Sequence, residues 1–269
     1  MLVTALVAGV ALPFAARAEQ MAIKPPARAA QAVAPRCDAP LDMVRFAYPL
    51  SRVARKLAAG EPVTIVAIGS SSTAGAGASS PAASYPSRLA VELKERFPKQ
   101  SIVVINRGVN GEEVGDMLKR FDASVVDAKP DLVLWQLGTN SVIRDRTFVD
   151  HGDAIREGLK KARAAGSDVV LIDPQFVPKV IAKREEADKM VALISTTAKM
   201  ENVDLFRRFE MMKRWVEVDH LGFESFVSAD GLHLNDWSYA CMAKGMALAI
   251  SEAVKRPVVS ATAAPHLVP

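Results

Sequence analysis

Between residues 62 and 255 the chain alternates short, nearly continuous apolar runs with longer stretches in which apolar residues recur every three or four positions. The runs at 63–68, 102–106, 132–136 and 169–172, with a weaker one at 203–206, predict strands. Apolar residues at successive rather than alternate positions are expected where a strand is covered on both faces, as in a parallel sheet flanked by helices. After the first run, Leu89, Leu93 and Phe97 fall on one helical face, from a helix beginning around 84–86. After the second, Val114, Met117, Leu118, Phe121 and Val125 do the same. A last helix over 237–254 should bury Met242, Met246, Ala249 and Ile250. Five strand–helix units in this order predict a three-layer α/β/α, flavodoxin-like doubly wound sheet of about five parallel strands. Ligands of such sheets bind beyond the carboxyl ends of the strands, so the loops that follow strands are where chemistry is expected.

Length narrows the organisation further, since 269 residues suit one principal core with extensions. Residues 1–18 read as a secretory signal, with a thirteen-residue apolar stretch from Leu2 to Phe14 and a small-x-small cleavage site at Ala16-Arg17-Ala18. An uncleaved anchor is the other reading, although the stretch is short against the roughly 20 residues of a membrane span. The Ala- and Pro-rich segment 19–40 reads as a spacer, 41–257 as the domain and 258–269 as a tail. Export predicts a periplasmic or secreted protein with no stable membrane span after cleavage. The net charge of +4 arises from 34 basic and 30 acidic residues scattered among one another, without the basic stripe and interleaved aromatics that nucleic acid would require.

Four loops carry candidate chemistry. The first, Gly69-Ser70-Ser71-Ser72-Thr73-Ala74-Gly75, follows the first strand, where a serine on a tight turn would expose its hydroxyl near helix amides; a flexible Gly/Ser loop is the plainer alternative. The second, residues 106–112, contains glycines that let backbone amides approach a bound oxygen, or simply make a turn. In the third, residues 137–141, Asn140 stands at the mouth of the central strand, as an oxyanion donor or an ordinary turn residue. The fourth, Asp230-Gly231-Leu232-His233, is the most specific, because an Asp three residues before a His can accept from the imidazole and fix its tautomer. A surface turn with a capping Asp is its alternative. His151 and His220 sit in polar stretches that predict solvated side chains, and His266 lies in the tail.

In order and spacing these four loops resemble the blocks of the SGNH/GDSL hydrolase family over about residues 62–255. The resemblance implies a carboxylic ester hydrolase with Ser71 as nucleophile, Asp230 and His233 completing a triad, and an oxyanion hole formed by Ser71, Gly111 and Asn140. Thr73 and Gly75 continue the family's Gly-Asp-Ser-x-Thr-x-Gly frame and select Ser71 among three consecutive serines. Ser70 departs from that frame, standing where the family has Asp. The implied chemistry is acyl transfer through an acyl-enzyme, with no metal or organic cofactor. Two cysteines cannot make a four-ligand zinc site alone.

The expected substrate is a small-molecule or glycan ester with a short acyl group, such as an O-acetyl group of carbohydrate. Lipase, lysophospholipase and thioesterase activities fit the same triad, and a non-catalytic carbohydrate-binding protein on the same fold is the alternative of another class. A nucleotide site at Gly75-Ala76-Gly77 lacks both the Gly-Lys-Ser/Thr ending and a third glycine. The apolar residues Phe206, Phe209, Met211, Met212, Trp215, Phe223 and Phe226 either wall an acyl pocket or belong to the core. In an exported chain the even cysteine count predicts a disulfide between Cys37 and Cys241, two unrelated thiols being the other possibility.

Overall fold

In a computed structural model of the chain, Cys37, Pro40 and residues 41–256 are described. The expected signal at 1–18, nearly all of the spacer at 19–40 and the tail from 258 lie outside the described residues. Five strands form the central sheet: β1 (Val63–Gly69), β2 (Ile102–Gly108), β3 (Leu132–Gln136), β4 (Asp168–Ile172) and β5 (Asp204–Phe206). Every pairing is parallel, and the order is β2-β1-β3-β4-β5. This is the flavodoxin-like order, in which the chain reverses its direction of winding between β1 and β3. Val66 of β1 pairs with both Ile105 of β2 and Val133 of β3, so the loops leaving all three strands emerge side by side.

The central strands β1, β3 and β4 are covered on both faces, as their apolar runs predict. β2 is different. It lies at the edge, most of its residues are only half-buried, and Val103 is 53% exposed. The helix expected to carry Val114 through Val125 is also interrupted. It runs over Val114–Lys119, breaks at Arg120 and resumes over Phe121–Ser124. Its apolar face survives the break because Val114, Met117, Phe121 and Val125 are all buried.

Trp135 of β3, the largest fully buried side chain among the described residues, meets Phe121 edge-on at 5.2 Å. Gly158 permits that packing, since a Cβ there would lie 2.2 Å from the indole. The last helix, Asp236–Ala253, is capped by Asn235, whose side chain accepts from the Ser238 amide, and it buries Met242, Met246, Ala249 and Ile250. Phe206, Phe209, Met211, Met212, Trp215 and Phe226 are each at most 2% exposed and pack on one another and on Trp237, so they are core; Phe223 alone of that set is half-buried. Cys37 and Cys241 form the expected disulfide, with Cα atoms 5.4 Å apart. Among the described residues no helix is long and apolar enough to cross a membrane.

Candidate active site

β1 ends at Gly69, where a Cβ would collide with Thr73 and Gln136. The chain then turns through Ser70 into a single helical turn, Ser71–Ala74, which Gly75 closes with φ 103°. The three serines of this turn point in different directions. Ser70 donates from both its amide (2.8 Å) and its hydroxyl (2.9 Å) to Oε1 of the buried Gln136. Ser72 accepts from Nη1 of Arg208. Only Ser71 faces His233, with Oγ 2.9 Å from Nε2.

His233 is held from behind by Asp230, whose Oδ2 lies 2.5 Å from Nδ1. The other oxygen of Asp230 accepts from the amides of Leu232 and His233, both at 2.9 Å, so the carboxylate is fixed within a turn that Gly231 makes at φ 68°. Partial burial pushes the Asp230 carboxyl upward, but the amides of His233 and Leu232 and the imidazole outweigh it and hold the group below its usual range. With Asp230 ionised, the imidazole proton belongs on Nδ1, leaving Nε2 as acceptor for the Ser71 hydroxyl.

The second loop is bound directly to the first. Val109 donates to the Gly69 carbonyl at 3.0 Å, and Gly108 sits so close to Thr73 and Ala74 that any Cβ would overlap their backbone. Gly111 takes φ 80°, and its carbonyl accepts from Arg144 at 2.8 Å. Neighbouring Glu112 is gripped by Arg120, which also donates to the Arg107 carbonyl at the end of β2. In the third loop, Asn140 is buried and uses one amide hydrogen on the Glu112 carbonyl at 2.8 Å. The second hydrogen of that amide remains available for another acceptor. Thr139 beside it bonds Gln175, which in turn donates to the Leu232 carbonyl of the Asp230–His233 loop.

Ser71, Asp230 and His233 are therefore brought into one hydrogen-bonded chain, while Gly111 and Asn140 share a second cluster on the adjoining loops. His151 departs from expectation. It is half-buried rather than solvated, its Nε2 is 2.8 Å from Ser141 Oγ, and Phe148 packs on its ring. Burial lowers its pKa against the opposing pull of Glu113 and Asp150. His220 is exposed, as its polar surroundings predict. Among the described residues no group of three or more His, Cys, Asp or Glu is placed to hold a metal ion.

The sequence model of the Non-GDSL lipase-like family matches residues 36–256. The chain belongs to that family. Membership bears out the resemblance to SGNH/GDSL hydrolases and the class of carboxylic ester hydrolase, and Ser70 in place of Asp is in keeping with a non-GDSL member. Several solved structures share the fold. An acetylxylan esterase from Geobacillus stearothermophilus aligns with a TM-score of 0.61 at 18% identity, over 70% of this chain and 94% of that one. A two-domain esterase active on acetylated mannans gives 0.66 at 17% identity over 84% of this chain, which spans 59% of that protein. The protein TesA gives 0.58 at 22% identity, over 68% and 94% of the two chains. No curated protein matches the chain in sequence.

In this member of the Non-GDSL lipase-like family, Gln136 explains how Ser70 is accommodated. The Ser70 amide requires an acceptor and so fixes the Gln136 oxygen toward it, which leaves the Ser70 side chain needing a donor. A hydroxyl supplies one; an ionised carboxylate would face that oxygen repulsively. Gln136, Arg208 and Gln175 escape sequence reasoning. Their one signal is a polar side chain in an apolar neighbourhood: Gln136 ends an otherwise apolar strand, and Arg208 stands between Phe206 and Phe209.

Proposed function

We propose that this protein is an exported serine esterase acting through Ser71, His233 and Asp230, with short acyl esters such as O-acetyl groups of carbohydrate as substrates. The observation that carries the reading is the unbroken chain from Ser71 Oγ through His233 to Asp230, at 2.9 and 2.5 Å. Ser71 attacks the ester carbonyl as its proton passes to His233 Nε2. The Ser71 and Gly111 amides and the Asn140 side chain receive the developing oxyanion. The intermediate collapses, the imidazolium gives its proton to the departing alcohol, and the acyl group remains on Ser71. Water then attacks the acyl-enzyme, again losing a proton to Nε2. Collapse returns that proton to Ser71 and releases the acid.

Short acyl groups are favoured because the Phe-, Met- and Trp-rich segment before the triad loop is, apart from Phe223, spent on core packing and leaves little wall for a long chain. A cavity of about 330 Å³ beside the triad loop is lined by Pro178, Phe223, Glu224, Val227, Ser228, Ala229 and, from the loop itself, Gly231. The fold-sharing esterases that act on acetylated mannans and acetylxylan support the same choice by analogy. Export is supported by the Cys37–Cys241 bridge, which an oxidising compartment allows to form and persist.

A panel of p-nitrophenyl esters from acetyl to palmitoyl, run beside acetylated oligosaccharides, tests the reading. Turnover should be highest for acetyl and fall with chain length. A preference for long chains would replace it with a lipase-like function. Failure of a fluorophosphonate probe to label Ser71 would leave a non-catalytic binding protein.

A further inference from the structure

We propose that Glu113 is the positioning residue that fixes the two side-loop oxyanion donors, Gly111 and Asn140, relative to each other; the inference rests on the esterase reading above. One bond joins the two loops directly, from the Asn140 side chain to the Glu112 carbonyl at 2.8 Å. Gly111 lies in an irregular turn at φ 80°, and Asn140 lies in the first turn of a five-residue helix, Thr139–Ile143. Glu113 ties both loops. One carboxylate oxygen accepts from the hydroxyl of Ser141, the buried residue next to Asn140, at 3.1 Å. The other accepts from Arg144 at 2.9 Å and Arg146 at 3.3 Å. The same Arg144 nitrogen donates to the Gly111 carbonyl at 2.8 Å, so carboxylate, guanidinium and glycine form a continuous link. The Glu113 side chain is only 17% exposed, and its own backbone is pinned as the first cap of helix Val114–Lys119 by a reciprocal bond with Asp116.

Placement of this kind matters because oxyanion donors act over about 2.7–3.1 Å, and a displacement of roughly 1 Å can cost about a hundredfold in rate. Glu113 does not touch the substrate in this assignment; it acts through Ser141 and Arg144. Charge gives the proposal a distinguishing sign. A carboxylate near a developing oxyanion is unfavourable by Coulomb's law, so neutralising Glu113 should leave turnover unchanged or raise it if electrostatics were its whole effect. If positioning dominates, turnover falls despite the gain in positive charge.

The test compares wild type with Glu113→Gln, Glu113→Ala and Ser141→Ala on an acetyl ester, with melting curves for each. We expect kcat to fall about tenfold in Glu113→Gln and about a hundredfold in Glu113→Ala, with KM changed less than about threefold. Adding Ser141→Ala to Glu113→Ala should cost little more, since Glu113→Ala already removes the tie through Ser141. Affinity for a boronic acid, which forms a tetrahedral oxyanion on the serine, should weaken about tenfold in Glu113→Ala, a readout independent of turnover. Undiminished kcat in a folded Glu113→Ala overturns the proposal while the esterase reading stands. A wild-type protein inert toward every ester overturns both.

Discussion

The hydroxyl of Ser72 accepts a 3.0 Å hydrogen bond from Nη1 of Arg208, a guanidinium with no solvent exposure whose Nε donates to the Asp173 carbonyl. The neighbour of the proposed nucleophile is therefore committed to the protein interior. Ser72→Ala should lower stability by about 1–3 kcal/mol, because it leaves a buried cationic N–H without its acceptor. Ser71→Ala should behave oppositely, staying folded while losing about a millionfold in turnover, as loss of the nucleophile does in a comparable triad. Thermal melts and ester hydrolysis on the two variants separate these outcomes. Full activity in Ser71→Ala would end the assignment.

Asn140 has two tasks in the proposed mechanism, since one amide hydrogen holds the Glu112 carbonyl and the other is the one assigned to the oxyanion. Asn140→Ala should reduce kcat by roughly a hundred- to a thousandfold, the usual cost of one oxyanion donor. Substrate affinity should change far less. Unchanged kcat with a raised KM would show that the side chain only positions substrate.

The sheet is legible in the sequence because parallel strands buried on both faces leave long apolar runs that little else imitates; β3, at 132–136, has the predicted bounds. β2 carries a similar run yet lies at the edge, for strand order depends on which crossover each helix makes and not on composition. The pairing of Asp230 with His233 was readable because both share one turn, and turn chemistry is local. The supports of the site were not. Gln136 meets Ser70 across 66 residues and Arg208 meets Ser72 across 136, contacts that exist only once the sheet is wound. His151 misled for the same reason, its polar sequence neighbours giving no hint of Ser141 and Phe148 around the ring.

At the opposite end of the sheet, two carboxylates anchor the segment that enters the domain. Asp204 accepts from the Tyr48 amide, and Asp168 from the amides of Arg52 and Val53. Burial pushes both up to about 6, against the amides that favour the ionised form, and Asp168 adds repulsion at Asp204. Between about pH 4 and 6 the native protein thus holds protons that the unfolded chain has released. The associated stability is full below about pH 4 and is lost as pH rises through 6. Asp204→Asn, which cannot ionise, should lose the Asp204 share of this dependence and keep that of Asp168. Urea unfolding at about pH 4.5 and 7.5 should show wild type gaining on Asp204→Asn at the lower pH. A stability difference that is the same at both values would refute the shift.

The disulfide closes a loop of 204 residues, from Cys37 at the edge of the domain to Cys241 in helix Asp236–Ala253. In the chain-entropy model so long a loop contributes about 5 kcal/mol, and less if the reduced arm stays docked. That contribution belongs mainly to the unfolded state, where the bridge removes conformations, so its loss need not disturb the folded site. Helix Asp236–Ala253 nevertheless follows His233 directly, which makes the bridge a fair test of whether the proposed triad depends on it. The helix is independently held, by its Asn235 cap and by the buried Met242, Met246 and Ile250. Cys37→Ser with Cys241→Ser should therefore lower the melting temperature by several degrees or more while leaving kcat well below the melt within about twofold of wild type. Thiol titration of wild-type protein, purified and unfolded without reductant, supplies the companion measurement. Two free thiols per chain would rule the bridge out, and a large fall in kcat at low temperature would show that it positions His233 as well.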